Sequence, residues 1–152
     1  MPTYAEKTQV PSDRSRAEIE RTLVRFGADE FQYGWTAGEA RVGFAIANRK
    51  VLFRLPLPDR DQFLLTATGR ARSSSSADGE YEQAVRQRWR ALALVIKAKL
   101  EAVEAGITTV ENEFLAHILL ADGSTVAEHV APRLALAYEN GNVPALLPGV
   151  SS

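Results

Sequence analysis

The chain predicts an α+β domain: an N-terminal helix, a three-stranded antiparallel meander, a long helix across the sheet and two shorter C-terminal helices. Three observations carry that prediction. Apolar residues recur every three or four positions from Ile19 to Phe26, every second position from Phe31 to Leu55, and every three or four again from Val85 to Val103. Glycine and proline punctuate the switches at Gly27, Pro56, Pro58 and Gly106. Ser/Thr-x-x-Glu signatures precede the first helix and the two C-terminal ones.

Residues 1–12 lack periodicity, end in Val10-Pro11 and read as a tail, leaving a single domain over 13–141. Ser15 with Glu18 predicts the start of a first helix, buried through Ile19, Leu23 and Phe26 and stopped at Gly27. Phe31, Tyr33 and Trp35 then alternate with polar or small residues, as do Val42, Phe44 and Ile46 after a turn at Ala37-Gly38-Glu39. A third strand over Val51–Leu57 follows a tight turn around Asn48-Arg49. One face of this meander is too apolar to stay wet and needs helices over it, while the other shows Gln32, Arg41, Gly43, Lys50 and Arg54.

Residues 66–79, with four serines and almost nothing to bury, predict a mobile loop. The longest helix is expected over Tyr81–Ala105, about 37 Å at 1.5 Å per residue. Thr108 with Glu111 predicts a short helix to about Leu120. Thr125 with Glu128 predicts the last one, to Gly141, with Pro132 as a kink or restart. The tail 142–152 carries Pro144, Leu146 and Leu147, more apolar than a solvated tail needs.

Composition narrows the chemistry. At 152 residues, 45% hydrophobic and 24% charged, the chain has the make-up of one globular domain. The longest apolar run, Ala91–Ile96, cannot span a bilayer, and the start of the chain has no signal-peptide order, so no membrane partner and a cytoplasmic location are expected. The absence of cysteine removes disulfides, thiolate metal sites and thiol nucleophiles. No phosphate-binding loop, dinucleotide fingerprint or Gly-x-Ser-x-Gly elbow is present, and no cofactor is expected.

Two histidines, His117 and His129, limit triads and metal clusters. Glu113 and His117, four apart on an expected helix and near Glu111, could supply two ligands to a divalent ion for a metal-dependent hydrolase; first-turn capping explains the acids equally. The carboxylate pairs Asp59/Asp61 and Glu101/Glu104 read as solvated or capping groups.

Cations are the stronger signal. Arg86, Arg90 and Lys97 share one side of the long helix, Arg88 and Lys99 flank its seam, and Arg70 and Arg72 sit on the preceding loop. Together with Arg41, Lys50 and Arg54 on the sheet, they could form a trough for a phosphate backbone without sequence readout. Ordinary solvation of an amphipathic helix is the alternative.

The order of helix, meander and long helix resembles the double-stranded-RNA-binding domain, although Glu80-Tyr81-Glu82 opens the long helix where that family carries lysines. It also resembles the core of the Rad52-like and Redβ-like single-strand annealing proteins, over residues 30–105. Leu55–Asp59, Arg86–Val103 and Glu113–Ile118 are similar to segments of a small bacteriophage and metagenomic family that carries no assigned activity. These resemblances imply a non-enzymatic, phage-type protein binding nucleic acid, above all single-stranded DNA, and acting as an oligomer. A protein–protein accessory or inhibitory module, docking through the meander or Val143–Leu147, is the second expectation.

Overall fold

The computed structural model describes residues 4–142, with side chains from Asp13 onward. The tail from Val143, including the apolar stretch expected to dock, lies outside the described residues, as do residues 1–3. The elements run α1 (Tyr4–Arg25), β1 (Glu30–Trp35), β2 (Glu39–Ile46), β3 (Arg49–Pro56), α2 (Ser74–Glu104), α3 (Val110–Glu113) and α4 (Val126–Asn140). Short 3-10 turns occupy Arg60–Phe63 and Leu115–His117. This is the expected α+β order.

The sheet is an antiparallel meander, β1-β2-β3. Phe31 pairs with Phe44, Tyr33 with Val42, Val42 with Phe53 and Phe44 with Val51, so these residues share one face. α1 and α2 cover that face with Ile19, Leu23, Val85, Trp89, Ile96 and Leu100, all buried. Tyr33 meets Trp89 edge-on at 5.6 Å between ring centroids, and Arg16 lies over the Tyr33 ring at 5.2 Å. The result is two layers, helices inside against sheet, with the second sheet face left outward.

Several boundaries differ from those expected. Of the residues assigned to an N-terminal tail, 1–12, those from Tyr4 onward belong to α1, which runs through Pro11. Proline's fixed φ is helical, and the break costs one backbone hydrogen bond without ending the element. Residues 66–79, expected as a mobile loop, are partly regular. Leu65 and Ala71 bridge a small hairpin that turns at Gly69, and α2 begins at Ser74. The serine run is a helix start: the Ser73 side chain accepts from the Ser76 N–H at 3.2 Å, and Ala77 is fully buried. Arg60 ties this end down through Asp78 at 2.6 Å.

The C-terminal third is shorter in helix than expected. Thr109, one residue later than the anticipated cap, accepts from the Asn112 N–H, and α3 lasts a single turn. Phe114 then drops into the core at 0% exposure. Ile118 bridges antiparallel to Val51, and the chain folds back so that Leu119 bridges Thr125. Thr125 and Glu128 form the expected capping box, and α4 passes through Pro132 without kinking into two helices.

The β2–β3 turn is strained. Ala47 and Asn48 both take positive φ, 48° and 60°, as a two-residue type I′ hairpin demands. Alanine gains nothing there to offset its Cβ clash. Replacing the pair with Asn-Gly is expected to stabilise the fold by about 1 kcal/mol, read as a thermal midpoint about 2–4 °C higher.

Candidate interaction surfaces

The eight cations expected to line one trough occupy separate places. On the outward sheet face, register sets Arg41 directly opposite Arg54, a repulsive pairing on its own. Glu39 resolves it: one carboxylate oxygen, Oε2, accepts from Arg41 Nε at 2.7 Å and from Arg54 Nη1 at 3.4 Å. Glu128 of α4 takes Arg54 Nε at 2.8 Å. Arg41 and its neighbours hold the Glu39 carboxyl below its ordinary range, and Glu128 with Glu39 raises the Arg54 guanidinium. Two arginines and two carboxylates thus neutralise one another. Lys50, paired in register with Ala45, is exposed on the same face.

Arg72 is a structural donor, giving Nη1 to the Leu65 carbonyl at 2.9 Å and the Phe63 carbonyl at 3.3 Å, while Arg70 is exposed on the hairpin. Flanking α2, Arg88 donates to the Pro56 carbonyl at 2.8 Å and Lys99 to Glu113 at 3.2 Å, so both staple α2 to its neighbours. Arg86, Arg90 and Lys97 are exposed and have no ion pair among the described residues. They fall within about 40° on the helix and span about 16 Å.

α2 turns its buried side to the inner sheet face, so its cations and those of the outward sheet face lie on opposite sides of the core. No single trough collects them. Of the eight expected binding residues, only Arg86, Arg90 and Lys97 form a continuous unpaired stripe.

The metal expectation also loses its geometry. The helix breaks at Phe114, so Glu113 and His117 do not stand one turn apart on a common face. Glu113 receives Lys99, and Glu111 receives Arg49 through Nε and Nη2 at 3.1 and 3.0 Å. The His117 ring stacks on Phe53 at 4.0 Å. Among the described residues no group of three or more potential ligands comes together. No helix among them is long and apolar enough to cross a membrane.

Burial, then the nearby Lys99 charge, lowers the His117 pKa from 6.5, with a hydrogen bond to the Leu52 backbone opposing them. Because the unfolded chain takes up this proton near pH 6.5 and the folded chain resists it, stability falls as pH drops from about 7 toward the lowered value. Asp122 adds a second, more acidic window. Ser124 donates its hydroxyl and backbone N–H to Asp122, which with His129 lowers its pKa to about 2, so this contribution is lost below about pH 4. Urea midpoints of the parent and His117→Phe between pH 7 and 5 are expected to diverge, with only the parent sloping downward.

α4 was not singled out by its sequence as a surface. It spans fifteen residues and none of its side chains is buried. Val126, Val130, Arg133 and Ala137 are half-covered on the side toward the body, whereas Ala127, Ala131, Leu134, Ala135 and Tyr138 are exposed. Leu134 is 47% exposed and Tyr138 86%. α2 has a comparable outer ridge in Ala91, Leu94, Val95 and Ala98, with Leu94 60% exposed. The available sign was apolar residues on both sides of each helix, a pattern expected when a helix is covered on both sides.

No family model, curated protein or solved structure matches the chain.

Proposed function

We propose that the chain is a non-catalytic interaction module, a two-layer α+β body that presents α4 as a docking helix to a protein surface. The observation carrying this is the exposed apolar stripe of α4, on a helix without a buried side chain. A helix of fifteen residues is marginal in water by itself, and Pro132 costs it about 3 kcal/mol. Its cap, Thr125, and the Glu128–Arg54 pair anchor the first turn, while further along Val130, Arg133 and Ala137 are only half-covered. The rest gains stability by being covered.

Placing charges in the stripe tests this directly. Ala131→Glu with Leu134→Glu is expected to leave the thermal midpoint of the dilute chain within about 1–2 °C, as for exposed positions generally. A drop comparable with truncating a core residue would mean that the stripe packs inside the monomer, and would overturn the proposal.

A second reading is favoured by Arg86, Arg90 and Lys97, which form no ion pair among the described residues: binding to a single-stranded nucleic-acid backbone, as the resemblance to annealing proteins implies. Three phosphate contacts give a log–log salt slope of about −2 for single strands. Anisotropy of a labelled oligothymidine at two salt concentrations reads it, with the three residues changed to alanine as the control. Absence of binding at low salt ends this second reading.

A further inference from the structure

We infer that α4 of one chain seats on the outer ridge of α2 of a second copy. The inference rests on α4 being a docking helix, and names its occupant. Both surfaces are exposed apolar stripes on helices. Ala127, Ala131, Leu134 and Tyr138 span eleven positions of α4, about 16 Å, and the ridge from Ala91 to Ala98 spans seven of α2, about 10 Å, so the C-terminal half of the α4 stripe meets it. Alanines at most stripe positions let two helix axes approach closely, while Leu134 and Tyr138 on one helix and Leu94 and Val95 on the other supply the knobs.

Charge selects this pairing over a symmetric α4–α4 contact. From Gln83 to Leu100, α2 contains no acid, and Arg86, Arg90 and Lys97 border its ridge on one side. The exposed side of α4 is bordered by Glu128 and Glu139 and by no cation. Glu128 is held by Arg54, while Glu139 has no ion pair among the described residues. Arg86 to Lys97 and Glu128 to Glu139 are the same eleven positions apart. With the helices running in the same direction and both stripes facing, the basic and acidic borders fall on the same side of the contact, placing Glu139 level with Lys97. Two α4 helices against each other would instead bring together surfaces with only acids at their borders. Reciprocal exchange between two chains closes the contact into a pair, and exchange without closure extends it into a filament.

Sedimentation equilibrium of the full chain from 1 to 200 µM at moderate salt tests the inference. The parent is expected to associate with rising concentration. Leu94→Glu alone and Leu134→Glu alone should each weaken association at least tenfold. Mixing these two variants should restore part of it, since the Leu94→Glu chain keeps an intact α4 and the Leu134→Glu chain keeps an intact α2. Lys97→Glu should weaken it, and Glu139→Lys in the same chain should recover it.

A parent that stays monomeric throughout overturns the inference, and so does a monomer whose Arg90 and Lys97 instead carry oligonucleotide binding. Association lost in Leu134→Glu but kept in Leu94→Glu overturns the choice of α2 while leaving α4 a docking helix. Association kept in both variants overturns the docking role of α4 as well.

Discussion

Phe114→Ala is expected to cost about 3–5 kcal/mol, the range for emptying a fully enclosed aromatic site, and to lower the thermal midpoint by roughly 10 °C. Phe114 is 0% exposed and stands edge-on to both Phe44 and Phe53, at 5.6 and 6.2 Å. It is also the residue at which α3 stops and the chain turns toward β3. Its ring therefore fixes the C-terminal third to the inner sheet face, and the Lys99 ammonium lies 5.9 Å from its centroid. Chemical denaturation of parent and variant checks the figure. Phe114→Leu, which refills most of the volume, should recover more than half of the loss.

Thr125→Val is expected to act differently, by melting α4 and sparing the body. The Thr125 hydroxyl accepts from the Glu128 N–H at 3.2 Å, and Glu128 Oε2 accepts from the Thr125 N–H at 3.1 Å. Losing such a cap costs about 1–2 kcal/mol. In a helix packed along its length that sum would be shared with the core. In α4 it falls on an element that buries no side chain and contains Pro132, so local order is lost first. Circular dichroism of the dilute variant should show less ellipticity at 222 nm before heating, with the cooperative melt of the body close to that of the parent. A variant with full helix content would mean that α4 draws stability from contacts beyond its first turn.

The meander was legible in the sequence because strand alternation is strict: Phe31, Tyr33, Val42, Phe44, Val51 and Phe53 leave a single register that buries one face. The Thr125–Glu128 cap was legible for a similar reason, since both hydrogen bonds of the box need those two side chains three residues apart. Helix starts were less so. Ser73 to Ser76 have the composition of a linker, and only the burial of Ala77 by the rest of the fold makes one of these serines a cap. At α3, the expected helix to Leu120 yields because Phe114 is worth more in the core than the backbone bonds it interrupts.

The cation trough failed on a point already contained in the pattern. Arg41 and Arg54 alternate with buried strand residues, and Arg86, Arg90 and Lys97 lie away from the buried seam of α2. Two layers that meet through their apolar sides must point these polar sides apart. Pairing was the part the sequence could not reveal, because Glu128 reaches Arg54 across 74 positions and Glu111 reaches Arg49 across 62. The second apolar stripes of α2 and α4 were present in the sequence, but periodicity alone does not separate a residue that faces the core from one that faces outward on the other side of the helix.

The most direct measurement is amide hydrogen exchange across α4 in the full chain, followed from dilute to concentrated solution. The fold described here predicts that amides beyond the first turn of α4 exchange quickly at low concentration, while those of α2 around Trp89 and Ile96 stay protected, and that α4 gains protection as its stripe is covered by a second chain. Protection of α4 equal to that of α2 in the dilute monomer would contradict it, because the helix would then be complete without any partner.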